Sequence, residues 1–172
     1  MVGGAGFVAC LAAVEIGRTF NQYRASRLLR ERLEGYLDAR GGAPLLLVGE
    51  AAGYRGARIS GIPFTSERQL TGRGSTEATA TIVHRVLAEL GLEDSVLLWN
   101  VVPTHPGTVS TNRRPTSGEI DAGLPFLRQL TRGRRTVAVG RVAHGVLGGR
   151  YIRHPSHGGA RAFRAGLIES LT

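Results

Sequence analysis

Two segments of this chain are best suited to chemistry. One is His154-Pro155-Ser156-His157-Gly158-Gly159; the other, far upstream, is Gly49-Glu50-Ala51-Ala52-Gly53. Proline pushes the residue before it into an extended conformation, so the direction of the His154 side chain is constrained. Ser156 and the paired glycines form a turn whose amides suit a phosphate held beside the imidazole. In the upstream loop, Gly49, Ala51 and Gly53 leave backbone amides open to a flat polar ring or a phosphate. No Gly-Lys-Ser/Thr follows, so it is not a Walker phosphate loop, and it lacks the Gly-x-Gly-x-x-Gly spacing of a dinucleotide site. A tight strand-to-helix turn without a ligand is the structural alternative.

Three further residues complete a chemical picture. Phe64, in Gly61-Ile62-Pro63-Phe64, is either a core side chain or a stacking platform for a flat base. Asn100 ends an apolar run, and its amide offers a donor and an acceptor, enough to read the N3–H and O4 edge of a pyrimidine. It serves equally as a cap on the following loop. Glu50 is the carboxylate nearest these polar ends and is a candidate to position a water or to orient its own loop. The set suits dissociative cleavage of an N-glycosidic bond in a base flipped out of a duplex. His154 would donate a hydrogen bond to the departing base as charge develops on it, and water would capture the sugar cation. His84, on a helix with no evident partner, and His105, in a loop beside Pro106, look less special.

The elements that must hold these residues alternate. Helical periodicity covers Phe20 to Arg40, with Leu29, Leu33, Tyr36 and Leu37 as its apolar stripe. Leu45-Leu46-Leu47-Val48 is apolar on both faces, as a buried parallel strand requires. Gly49 to Gly74 reads as one long functional loop. Ser75 and Glu77 open a second helix striped by Ile82, Val83, Val86, Leu87 and Leu90. Val96–Asn100 is a strand and Val101–Ser117 a second long loop. Gly118 to Leu130 is a helix, Thr136–Gly140 a strand and Val142–Leu147 a short helix. Tyr151–Arg153 is a fourth strand, and Ala160–Leu171 closes the chain. This alternation predicts an α/β fold: three layers, α/β/α, around a central four-stranded parallel sheet. Ligands of such sheets sit at the carboxyl ends of the strands, where Gly49-Glu50, Asn100, Gly140 and His154 all fall.

Composition sets the surroundings. The net charge is +9 and every one of the 22 basic residues is arginine. Arginine forks onto phosphates, so a nucleic-acid partner stands beside the plainer reading of a basic enzyme from a GC-rich genome. The single cysteine, Cys10, excludes a disulfide framework and any multi-thiolate metal site built from this chain alone, and points to the cytosol. Phe7–Val14 is too short to span a membrane and lacks the charge of a secretory leader. Residues 1–19 are read as a flexible N-terminal arm and 20–172 as a single domain.

On these segments the chain resembles the uracil-DNA glycosylase superfamily, from Leu45 to Phe163. Gly49-Glu50-Ala51-Ala52-Gly53 resembles the Gly-Glu-x-Pro-Gly motif of the iron–sulfur (family 4) branch, with alanine for proline. Gly61-Ile62-Pro63-Phe64 resembles that branch's uracil-stacking segment, and Trp99-Asn100-Val101-Val102 its pyrimidine-reading strand end. Thr111-Asn112-Arg113-Arg114-Pro115-Thr116 with Glu119-Ile120 resembles its Asn-Arg-x-Pro segment, and His154-Pro155-Ser156 the motif carrying the leaving-group histidine. The branch's cluster cysteines are absent, with His105 standing about where one is expected, so no iron–sulfur cluster, metal or other cofactor is expected. Ala51 occupies the position where other branches carry a water-activating aspartate or asparagine.

The resemblance implies a monomeric, monofunctional DNA glycosylase of the bacterial cytosol that excises uracil, with related damaged pyrimidines as further substrates, and so initiates base excision repair. Gly49, Glu50, Ala51, Phe64, Asn100 and His154 would form the base pocket, with His154 and Glu50 catalytic. Arg113, Arg114, Ser156 and His157 would meet the DNA backbone, and His157 or Arg161 would wedge into the duplex. Three rivals stand beside this reading: a glycosylase for hypoxanthine or another purine lesion, a non-catalytic binder of damaged DNA, and a nucleotide-binding α/β enzyme using the Gly49 loop.

Overall fold

The computed structural model describes residues 4–171. In chain order the elements are α1 (Gly4–Ala13), α2 (Gln22–Ala25), α3 (Arg27–Ala39), β1 (Leu45–Ala51), α4 (Ala57–Ser60), α5 (Glu67–Thr71) and α6 (Ala78–Glu89). There follow β2 (Val96–Val102), α7 (Ser117–Thr131), β3 (Arg135–Val139), α8 (Arg141–Leu147), β4 (Tyr151–Ile152) and α9 (Ala160–Leu171). The strands form one parallel sheet in the order β2-β1-β3-β4, as the sequence pattern predicts.

Strand β1 is central and buried on both sides, and its side chains alternate between two cores. Leu46 and Val48 face a layer containing Leu11, Leu33, Trp99, Leu127 and Ala143, from α1, α3, β2, α7 and α8. Leu45 and Leu47 face Val83, Leu87, Phe163 and Leu167, from α6 and α9. The period of two puts consecutive leucines on opposite faces, which accounts for the unbroken apolar run. From β1 the chain crosses by way of α6 to one neighbour, β2. From β3 it crosses by way of α8, on the opposite face, to β4. The connections therefore diverge between β1 and β3, the switch point at which open α/β sheets bind ligands.

Three expectations are corrected. The segment read as a loose arm is, over Gly4–Ala13, a helix packed into the first core, with Phe7, Val8 and Leu11 buried and Ile16 buried just beyond it. Phe7 meets Trp99 and Phe126 edge-on, with ring centroids 5.4 and 5.5 Å away. The end of α1 is tied down by side chains that satisfy its last carbonyls: the Asn21 amide donates to Leu11 O and Val14 O, and the Arg24 guanidinium to Ala12 O, Ala13 O and Val14 O. Residues 1–3 lie outside the described residues.

The helix expected over Phe20–Arg40 is interrupted. Ser26 is extended (φ −138°) and caps α3 by accepting from the Leu29 N–H, so α2 and α3 are separate. The loop from Gly49 to Gly74 contains two short helices, α4 and α5. The second is fixed by a capping box between Ser66 and Gln69. Lastly, the outer edge of β2 is not bare, because the Leu98 N–H donates to the Tyr36 hydroxyl at 2.7 Å.

Candidate active site

Two joined cavities open at the carboxyl ends of the strands. An inner slot of about 50 Å³ is lined by Glu50, Ala51, Gly53, Ala57, Phe64, Glu77, Thr79, Asn100 and His154. An outer cleft of about 370 Å³ shares six of these residues and adds, among others, Pro106, Asn112, Arg113, Ser156 and His157. The slot has a flat wall, a polar floor and a titratable neck.

The wall and floor follow from strand register. Gly49 on β1 pairs with Asn100 on β2, and the Phe64 ring lies against Gly49. A Cβ on residue 49 would overlap the edge of that ring and stand 2.9 Å from Asn100 Oδ1, so only glycine permits the contact. Phe64 itself sits in the left-handed region (φ 53°), a strained conformation for a bulky residue, which survives where its surroundings over-determine it. They do so here. The Ser60 hydroxyl donates to Thr65 O at 2.6 Å, the Tyr23 hydroxyl to Gly61 O at 2.9 Å, and Thr65 Oγ1 lies 2.9 Å from His84 Nε2. His84 is therefore not without a partner: it buttresses the Phe64 loop from α6, and burial lowers its pKa.

Asn100 is buried (4% exposed), yet its side chain makes no hydrogen bond to any described residue while lining the slot. Its donor and acceptor are therefore open to whatever the slot holds. Across β1, the turn after β4 presents His154. Its Nδ1 lies 2.8 Å from the Ser156 hydroxyl and accepts from the Ser156 backbone N–H at 3.3 Å. An Nδ1 that accepts from a backbone N–H carries no proton, so the hydrogen of the neutral ring is on Nε2, free of the turn. Burial first, and the nearby His157 second, lower the His154 pKa, which favours this neutral form.

Two carboxylates line both cavities. Burial raises the Glu50 pKa, and the charge of Arg114 partly offsets the rise. Burial raises the Glu77 pKa without such an offset. Sequence reasoning missed Glu77 as a site residue because, one place before α6, it reads as part of a helix start.

His105 was also undervalued. It is buried, with Nδ1 2.7 Å from Ala52 O and Nε2 2.8 Å from Thr108 O. The Asn112 amide oxygen accepts from the Tyr54 N–H at 2.9 Å. Together they clamp the loop after β1 against the loop after β2 and so set the shape of the slot.

The residues expected to face a nucleic-acid backbone divide. Arg113 lines the outer cleft, but its fork is engaged by Glu119: one nitrogen lies 2.8 Å from Oε2 and another 2.6 Å from Oε1. Glu119 is buried and also accepts from the Thr116 and Arg18 N–H groups; the Arg113 fork holds its pKa at about 2. Arg114 and His157 are exposed, and the Ser156 hydroxyl turns inward to His154. A wider cleft shares Glu50, His154, Ser156 and His157 with the site and adds Arg141 and Arg153, two cations the sequence reading did not single out.

Residues 34–167 match the family model described as the uracil DNA glycosylase superfamily. No curated protein matches the chain. Among solved structures, the fold is similar to the crystal structure of wild-type Pedobacter heparinus SMUG2, with a TM-score of 0.73 and 14% sequence identity. That likeness covers 99% of this chain and 97% of the other.

Proposed function

Because the chain belongs to the uracil DNA glycosylase superfamily, we propose that it is a monofunctional DNA glycosylase that flips uracil out of DNA and hydrolyses its N-glycosidic bond. The observation that carries this reading is the unpartnered amide of Asn100, open to a slot walled by Phe64 and flanked by His154. The amide supplies a donor and an acceptor to the N3–H and O4 edge, and the Phe64 ring stacks on the face of the base. His154, neutral with its hydrogen on Nε2, donates to the oxygen on which negative charge grows as the base departs. Such a preplaced donor is worth more to the transition state than to the ground state.

The outer cleft would receive the sugar and flanking phosphates. Arg114, His157, Arg141 and Arg153 stand ready for the backbone, with Arg113 and Ser156 shaping the cleft and the histidine turn from within. Glu50 lies at the neck beside the charge of Arg114, where the sequence reading gives it the water. None of these steps calls on a metal or cofactor, and a single copy of the chain holds every residue invoked.

The test is base release from oligonucleotides carrying uracil opposite guanine, opposite adenine and in single strand, with hypoxanthine in parallel and no added metal. Uracil should be released. His154→Ala and Asn100→Ala should each lower the single-turnover rate by roughly 10²-fold or more. Wild-type rates in both variants would remove the site assignment, and release of hypoxanthine in preference to uracil would move the substrate to the purine lesions.

A further inference from the structure

Among the described residues, the titratable side chains that line both the slot and the outer cleft are His154, Glu50 and Glu77. Residues common to the two cavities mark the neck through which a base enters. When the base is seated and its sugar is outside, the glycosidic bond lies at that neck. Ala51 lines the same neck and brings no polar side chain to it.

Glu77 differs from Glu50. It occupies the N-cap position of α6 but makes no side-chain cap bond, and its carboxylate has no hydrogen-bond or ion-pair partner among the described residues. The carboxylate is pressed against the loop after β1. A Cβ at Gly53 would overlap Oε1 and lie 3.2 Å from Cδ; one at Gly56 would overlap Oε2 and lie 3.0 Å from Cδ. Both positions are glycine, so this loop leaves room for the carboxylate. Burial disfavours its charge, and a carboxylate so placed without a donor calls for a water or ligand to complete it.

We propose that Glu77 is the catalytic carboxylate of the hydrolysis, accepting a hydrogen bond from the attacking water at the neck. This rests on the glycosylase reading above. The C1′–N1 bond breaks and its electron pair leaves with the base, whose developing anion takes the His154 hydrogen bond. The water oxygen bonds to C1′ and one water proton passes to Glu77. That proton then goes to the departed base, so the products are free base and an abasic sugar hydroxyl, with the carboxylate restored. Glu50 on this account orients its loop and Arg114 rather than the water.

The test compares Glu77→Gln, Glu77→Asp and Glu50→Gln with the wild type, all shown by their melting temperatures to be folded. Two quantities are read: single-turnover release of uracil, and affinity for a duplex carrying a tetrahydrofuran abasic analogue. Glu77→Gln should lose roughly 10²-fold or more in rate, with affinity within about 3-fold of wild type. Glu77→Asp, which keeps the carboxylate, should retain more of the rate than Glu77→Gln, and Glu50→Gln should lose less than about 10-fold. The proposal is overturned if Glu77→Gln matches the wild type, if it loses affinity as much as rate, if the Asp and Gln variants rank in reverse, or if Glu50→Gln is the crippled one. A wild-type protein that releases no uracil would instead overturn the glycosylase reading, and this assignment with it.

Discussion

His154 and the two neck carboxylates set opposite protonation requirements that agree about pH. In the proposed mechanism His154 is a neutral donor, and burial lowers its pKa below the ordinary 6.5, so it is in that form above this value. The carboxylates work ionised, and burial raises them above the ordinary 4.5, so they lose the working form as pH falls toward that value from above. Both conditions hold at neutral pH and both fail on the acid side. A single-turnover pH profile should therefore hold on the alkaline side and lose rate on the acid side, with the carboxylate limb above the ordinary 4.5. A rate that drops as pH rises toward 6.5 from the acid side would show that an imidazolium is required and contradict the neutral role. Phe64 belongs to the same scale. Replacing it with alanine removes the stacking face, worth about 1–3 kcal/mol per base, and should weaken binding of the extrahelical base by roughly 5- to 150-fold. Titration with a uracil-containing duplex reads this directly in a His154→Ala background, where release is slow.

The elements hold these residues by contacts that differ in how far they show in the sequence. Asn100 and His154 were legible because Asn100 is the polar residue near the carboxyl end of apolar β2 and His154 follows β4, and a parallel sheet brings such ends to one edge regardless of side-chain detail. Glu77, His84 and His105 were not. Each takes its role from a neighbour distant in sequence: Gly53 and Gly56, Thr65, and the carbonyl of Ala52 respectively. Local spacing carries no trace of such pairings. The clamp between Arg113 and Glu119, by contrast, lies within one short segment, and it makes a prediction about stability. Arg113→Ala leaves a buried carboxylate without its fork and should destabilise the fold by about 3 kcal/mol in urea at neutral pH. Because the folded pKa of Glu119 is about 2, its contribution is full above the ordinary 4.5 and is lost as pH falls from there through about 2. The gap between wild type and Arg113→Ala should accordingly narrow across that window. A constant gap would show that the carboxylate is not the source.

At the scale of the whole molecule, the N-terminal helix is a working part of the core. The sequence reading set Phe7–Val14 aside because it weighed the stretch as a membrane or leader segment and found it too short. The cover it gives to Trp99 and Phe126 is visible only once β2 and α7 are side by side. Phe7→Ala should lower stability by about 3 kcal/mol, whereas a loose arm would leave urea unfolding unchanged within about 0.5 kcal/mol. Net charge acts at this scale too. With +9 and no lysine, DNA affinity should fall steeply with salt, and Arg114→Ala or Arg153→Ala should each reduce the slope of log K against log salt by about one. Arg113→Ala, whose fork is already engaged, should reduce it less.

In the proposed reaction a uracil enters the slot formed by Phe64, Asn100 and His154 and leaves as a free base. The most direct measurement is product identification after purified protein, in excess and without added metal, meets a duplex carrying one uracil. The account predicts one free uracil per strand and an intact backbone that breaks only on later alkali treatment. Uracil still in the strand after a prolonged single turnover, or a strand broken without alkali, would contradict it.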